Sequence, residues 1–290
     1  MNYIVIGSSG FIGSKIYASL KFDPNNNVVG ISSRQVDLSN RDSLQKLNSI
    51  VKADSIIIMC AGVKKQLGDN IDVFEKNLVI INNFIRVILN VIPKKIIFFS
   101  SASVYGEDFL HINEIDENTS VENRSYYGMG KYMSELLLTK ACEEVKTELV
   151  ILRPPLIYGH GDLSFGYGPT GFLRKALDGE EIIMWGDGTE LREFVYINDV
   201  VGIVKTLTNS DFIGVLNLVS GTSYNYLDVT RILRDYINID FKVSSRPRSK
   251  DKVDHVFSNK RIMNTTNDFC FTNLEAGMKM MYESMNIKKK

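Results

Sequence analysis

A short apolar run at residues 3–6 opens directly onto Gly7-Ser8-Ser9-Gly10-Phe11-Ile12-Gly13, and a helix-periodic segment follows at once. Few seven-residue stretches restrict a fold so strongly. Glycines at this spacing between a strand and a helix supply a tight turn at Gly7, close backbone approach at Gly10 and close helix–strand packing at Gly13. The first turn of the helix then offers unpaired N–H groups and the positive end of its dipole, a setting suited to a pyrophosphate. Ser9, Phe11 and Ile12 share that loop and are expected to share its ligand. The bland alternative is a plain βα turn, and the strand–turn–helix context weighs against it.

Short apolar runs and longer periodic segments alternate through the first half of the chain. Strands are expected at 3–6, 27–31, 55–60, 95–99 and 148–152, with helices at 11–20, 71–90 and 127–142. The run 55–60 is almost wholly apolar, as a strand buried on both faces should be. Such alternation implies right-handed crossovers and a parallel sheet covered by helices on both sides. The expected class is α/β: a doubly wound parallel sheet (Rossmann) with a smaller α/β substrate-binding lobe. Residues 1–155 read as the dinucleotide-binding domain, to which some later segments return, and 156–290 as mainly the smaller lobe. After Pro154-Pro155 the pattern loosens and becomes glycine-rich as far as residue 190. Short elements are expected beyond it at 194–196, 199–207, 215–219 and 226–236.

Composition excludes several classes of partner. The chain has 290 residues, and its 34 Lys+Arg equal its 34 Asp+Glu, so no nucleic-acid or acidic-membrane partner is indicated. No apolar run reaches the length of a membrane span, and the first one ends in a glycine turn, unlike a signal peptide. Cys60, Cys142 and Cys270 show no pair spacing and read as reduced thiols of a cytoplasmic protein. His111, His160 and His255 are scattered, so no metal site is expected. The Lys288, Lys289, Lys290 tail reads as solvated.

A strand ending in an acidic residue suits the adenosine ribose of NAD. Here the second strand leads into Ser32-Ser33-Arg34, with no carboxylate to repel a 2′-phosphate and a guanidinium able to pair with one. NADP(H) is therefore favoured and NAD(H) remains possible, with the ribose held by serines. Asp37-Leu38 follows, either placing a carboxylate on the adenine amino group or simply capping a turn.

Tyr127 and Lys131 stand four residues apart, hence on one helix face with Cβ atoms roughly 5–6 Å apart. A neighbouring ammonium favours the phenolate. Half-ionisation at neutral pH needs a shift of about three units from the reference value near 10, so one neighbour does not suffice alone. Hydroxyls in Ser100-Ser101-Ala102-Ser103 end the fourth expected strand, where one could hydrogen-bond a substrate oxygen.

Together these segments resemble the extended short-chain dehydrogenase/reductase family, the nucleotide-sugar epimerases, dehydratases and reductases. The likeness covers nearly the whole chain. It includes Gly7, Gly10 and Gly13, the segment ending in Ala61-Gly62, Asn77, Ser100 to Gly106, and the pair Tyr127 and Lys131. The resemblance implies that Tyr127 is the acid/base, that Lys131 holds the nicotinamide ribose and lowers the tyrosine pKa, and that Ser101 binds the reacting oxygen. It further implies a homodimer built on the helices at 71–90 and 126–142. The stretch 186–200 resembles the family's substrate-lobe signature, and its arginine, Arg192, contacts a nucleotide diphosphate in relatives. Arg246 is a second candidate for that role, and pairing of Arg192 with Glu190 or Glu193 is the structural alternative.

Departures narrow the reaction. Dehydratases of the family carry Asp-Glu directly after the catalytic hydroxyl, where this chain has Ala102-Ser103. Epimerase-reductases that abstract a proton beside a ketone carry a Cys at the position of Ser103. Leu156 replaces an Asn that touches the diphosphate in many relatives. What remains is reduction of a 4-keto-(deoxy)sugar nucleotide, the favoured expectation, in surface-polysaccharide sugar biosynthesis. The alternative is 4-epimerisation with tightly held NAD, and a non-catalytic NADP-binding sensor is a third reading that the intact Ser, Tyr and Lys set disfavours.

Overall fold

The computed structural model describes residues 1–107, 114–163, 166–248 and 251–286, without the side chains of residues 66 and 286. His111 and the terminal lysines lie outside the described residues. The first half of the chain forms β1 (Asn2–Ile6), α1 (Phe11–Lys21), β2 (Asn27–Ile31), α2 (Leu44–Ile50), β3 (Ser55–Met59), α3 (Ile71–Asn90), β4 (Lys95–Phe99), α4 (Tyr126–Val145) and β5 (Glu148–Arg153). Then come β6 (Leu156–Tyr158), α5 (Pro169–Leu177), β7 (Ile182–Trp185), β8 (Leu191–Tyr196), α6 (Ile197–Thr208) and β9 (Gly214–Asn217). The chain closes with β10 (Ser223–Asn225), α7 (Tyr226–Asp235), β11 (Val243–Arg246), α8 (Lys260–Thr266) and α9 (Leu274–Asn286).

Two compact units are built from interleaved segments. The first comprises residues 1–106, 120–153 and 201–217. Its parallel sheet has six strands in the order β2-β1-β3-β4-β5-β9. Every residue of β3 and β4 is buried, which is why after Ser55 and Lys95 these strands carry apolar runs instead of alternation. Ile4, Ile6, Ile57, Met59, Ile96 and Phe98 pack with Phe84, Val87 and Ile88 of α3 in one core, each fully buried side chain worth about 1.5–3 kcal/mol. Strand order reverses at β1, so a crevice opens between the loops after β1 and β3. The register sets Ile6 beside both Ile31 and Met59, and the glycine loop, Ser32 and Cys60 therefore leave the sheet at one level.

The second unit comprises 107–119, 154–200 and 218–290. It holds a three-stranded sheet in the order β10-β8-β6 and a parallel pair, β7 with β11. Tyr167, Phe172, Phe194 and Tyr226 form an aromatic cluster with centroids 4.4–5.9 Å apart. The described part of the glycine-rich stretch after Pro155 forms β6, α5 and β7. Pro169 starts α5 where a missing N–H costs nothing, and strands of three or four residues give no readable period. In the first unit α4 begins one residue earlier than expected, because the Ser125 hydroxyl caps it by accepting from Gly128 N at 3.0 Å. Among the described residues no helix is long and apolar enough to cross a membrane.

Candidate active site

The glycine loop shows which glycines the chain itself requires. Gly7 has φ +87°, and a Cβ there would lie 2.9 Å from Ala61 N. A Cβ on Gly13 would lie 2.3 Å from the Gly7 carbonyl, so only glycine lets α1 approach the turn. Gly10 differs: it is extended, and an added Cβ would meet nothing but that same carbonyl, at 3.3 Å. Backbone crowding therefore explains two glycines, and the third faces open space. No side-chain cap and no acidic residue occupy the first turn of α1, which leaves its N–H groups and dipole for an anion. These residues fit a dinucleotide pyrophosphate.

After β2, Gln35 accepts from both the backbone N–H (2.8 Å) and the hydroxyl (2.9 Å) of Ser32. Ser33 and Arg34 are exposed. Asp37 accepts from Ser39 N (2.9 Å) and Ser39 Oγ (2.7 Å), bonds that hold its carboxyl below the usual value; it caps a turn. Leu38 is buried, and its carbonyl accepts from Asn83 at 2.7 Å.

Beyond β3, buried Asn77 pins the next loop. Its Oδ1 accepts from Val63 N at 2.8 Å, and its Nδ2 donates to the Val63 carbonyl at 3.2 Å. A Cβ on Gly62 would lie 3.2 Å from Asn77 Oδ1 and 3.5 Å from Lys131 Nζ. Ala61, Gly62, Asn77 and Lys131 are thus brought together.

Lys131 is 8% exposed. Its Nζ donates to the Phe99 carbonyl at 2.8 Å and lies 5.1 Å from the centre of the Phe98 ring. Burial pushes its pKa down to about 8, against opposing pulls from Cys60 and Glu135. Burial also pushes the Cys60 thiol up to about 12 and keeps it neutral. The half-buried Tyr127 is anchored by its backbone N–H, which donates to Asp69 at 3.0 Å. Ser101 opens a 3-10 turn to Tyr105; its hydroxyl accepts from Ser103 N and donates to Ser103 Oγ, each at 3.1 Å. A Cβ on Gly128 would sit 2.7 Å from the Ser103 carbonyl, so the start of α4, with Tyr127, presses on the turn carrying Ser101 and Ser103.

Behind that turn lies a buried polar group that motif reading missed. Glu135 accepts from Ser100 Oγ and pairs with Arg153, whose Nη2 lies 2.6 Å and Nε 3.0 Å from the carboxylate oxygens. Arg153 also donates to Tyr105 Oη at 2.9 Å, and Tyr105 donates to Asn217 Oδ1 at 2.8 Å. One signal was available, since Glu135 follows Lys131 by one helical turn.

In the second unit, Arg192 pairs with Glu190 and donates to the carbonyls of Leu191 (2.8 Å) and Val253 (2.5 Å). The other oxygen of Glu190 pairs with Arg248, which also approaches Asp187 at 3.5 Å. Arg246 is exposed, with its guanidinium 3.3 Å from the centre of the Trp185 ring. Glu193 is separate: its Oε1 accepts from Ser220 N and from Gly221 N at 3.0 Å, and burial pushes its pKa up to about 7. Arg248 and Trp185 were not singled out from sequence. No cluster of three His, Cys, Asp or Glu suited to a metal occurs among the described residues.

The family model described as the NAD dependent epimerase/dehydratase family matches residues 3–218. A curated N-acetyl-alpha-D-glucosaminyl-diphospho-ditrans,octacis-undecaprenol 4-epimerase of Escherichia coli O157:H7 is 23% identical over 303 residues, covering 99% of this chain and 85% of that protein. The fold matches a UDP-glucose 4-epimerase with UDP-glucose from Thermotoga maritima with TM-score 0.90 and 20% identity, over 100% of both chains. It also matches a UDP-glucose 4-epimerase of Thermus thermophilus in complex with NAD, with TM-score 0.85 and 20% identity over 99% of each chain.

Proposed function

The chain belongs to the NAD-dependent epimerase/dehydratase family, and from that premise we propose that it exchanges hydride and proton at one carbinol of a nucleotide-diphosphate sugar, inverting C4. One observation carries the single-carbinol part of this reading, and the likeness to 4-epimerases supports inversion in place of net reduction. Ser101, Tyr127 and Lys131 gather at the carboxyl edge of the parallel sheet, while Ala102 and Ser103 stand where a second acid and base would be needed. Chemistry at two neighbouring carbons, as in dehydration, then lacks its proton donor and acceptor.

In this reading Ser101 donates a hydrogen bond to the C4 oxygen and Tyr127 takes its proton, returning it when the new carbinol forms. Lys131, charged below about pH 8, lowers the cost of the phenolate and holds the nicotinamide ribose. The loop of Gly7, Gly10 and Gly13, with Ser9, Phe11 and Ile12, holds the pyrophosphate. Ser32, Ser33 and Arg34 take the adenosine ribose, and Ala61, Gly62 and Asn77 line the crevice. When bound, the nicotinamide supplies hydride acceptance and return. Arg246 is assigned to the substrate diphosphate, while Arg192, with three of its five N–H donors already engaged, fixes Glu190, whose other oxygen pairs with Arg248. Homodimerisation through α3 and α4 is supported by the exposed Val79, Leu89, Met133 and Leu136. The same reading places the protein in surface-polysaccharide sugar supply.

A second reading, net reduction of a 4-keto sugar nucleotide by NADPH, is favoured by exposed Arg34 and by the lack of a carboxylate at the end of β2. The two are separated by cofactor retention and consumption. Stoichiometric NAD in the purified protein, with interconversion of UDP-glucose and UDP-galactose or of their N-acetylamino counterparts, supports epimerisation. Release of cofactor, with NADPH consumed by a 4-keto sugar nucleotide, replaces it with reduction.

A further inference from the structure

The buried pair Glu135–Arg153 is poorly explained as a source of stability. Glu135 is 3% exposed and Arg153 5%, and desolvating two charges commonly offsets their attraction, so an apolar pair of similar volume serves a fold equally well. What distinguishes this pair is what it touches. Glu135 lies one turn beyond Lys131 on α4 and accepts from Ser100, the residue before Ser101. Arg153, at the end of β5, donates to Tyr105 at the far end of the same 3-10 turn, with its guanidinium 5.0 Å from the ring centre. Tyr105 is tied in turn to Asn217 at the end of β9. Both ends of the turn bearing Ser101 are thereby fastened to one ion pair, and the carboxylate of that pair sits on the helix bearing Tyr127 and Lys131.

We propose that Glu135 and Arg153 are positioning residues: they clamp the turn 101–105 against α4 and so set the spacing between the Ser101 hydroxyl and the Tyr127 phenol. The inference rests on the reacting groups assigned under Proposed function. A paired guanidinium and carboxylate suit this task because the planar, forked geometry fixes orientation as well as distance. A hydrogen bond from a neutral partner would hold distance alone. Proximity effects are steep, and a displacement of about 1 Å at the reacting atoms lowers turnover roughly 100-fold.

Removing one partner strands a buried charge, so the informative variant removes both: Glu135→Leu with Arg153→Met. Its expected outcome is retained folding and NAD binding, about tenfold faster amide exchange across 101–106, and kcat lowered about 10- to 100-fold with KM for UDP-glucose within a few-fold of wild type. Ser100→Ala cuts only the tether and leaves the pair intact, and it serves even if the double variant fails to fold. It is expected to lower kcat about three- to tenfold with little change in melting temperature. Unchanged exchange at 101–106 and unchanged kcat in either folded variant would overturn the proposal. If the wild-type protein turns over no sugar nucleotide, the functional reading fails, while the exchange contrast still decides whether the clamp exists.

Discussion

The two charged assemblies of the molecule follow opposite plans. In the first unit Lys131, Glu135 and Arg153 are all under 9% exposed, and each is held by fixed partners within the unit. In the second, Glu190, Arg192 and Arg248 keep 14–19% exposure and Arg246 lies at the surface. Desolvated charges fix geometry, because no water can replace a partner cheaply. Pairs that keep some contact with water can exchange a partner for a ligand's phosphates more readily than fully desolvated ones. The first plan suits bond-making at a set distance, and the second suits taking up and releasing an anion.

The largest expected effect tests the first plan. Tyr127→Phe should lower kcat by about 10²–10⁴ and leave NAD binding, followed by calorimetry, nearly intact. Next comes the glycine loop. Gly13→Ala forces a Cβ to 2.3 Å from the Gly7 carbonyl and should cost about 1–3 kcal/mol of stability, read from thermal unfolding. Gly10→Ala meets only a 3.3 Å contact; it should fold normally yet weaken NAD about tenfold, which is about 1.4 kcal/mol. An equal loss of stability in both variants would show that Gly10 serves the fold alone. The pH profile gives a further test. Burial lowers the Lys131 pKa, so the free protein loses its ammonium as pH rises through about 8. kcat/KM should therefore fall on the alkaline side as the Lys131 ammonium is lost. The smallest effect belongs to the second plan: Glu190→Gln removes a carboxylate shared by two guanidiniums and should tighten UDP binding two- to fivefold, about 0.4–1 kcal/mol.

Legibility in the sequence follows the same division. The strands, the glycine loop and the Tyr127–Lys131 spacing were readable because each is patterned within one strand or one turn, and strands alternating with helices imply the parallel sheet. Gly13 answers to the sterics of a helix that follows a strand this closely, and Gly7 to its positive φ and to the backbone of Ala61. Glu135–Arg153 was hidden because its partners lie 18 residues apart in sequence and meet only when β5 docks beside β4. Arg248 reaches Glu190 across 58 residues, a distance at which one long side chain gives no periodic signal. Arg192, which the substrate-lobe motif offers to a diphosphate, pairs with Glu190, a neighbour close enough in sequence for either role to be legible. Asp37 likewise proved to be a turn cap, since a short carboxylate two residues before a serine satisfies local N–H groups first.

Proton exchange at one carbinol, and nowhere else on the sugar, can be tested by turnover of UDP-glucose and UDP-N-acetylglucosamine in D2O. NMR of the products then reads solvent deuterium carbon by carbon. C4-inverted product with no deuterium at C3, C4 or C5 is expected, because hydride returns to the carbon it left and Tyr127 touches only oxygen. Deuterium at C3 or C5, or loss of water from the sugar, would refute single-carbinol exchange and would require a second acid or base that Ala102 and Ser103 do not provide.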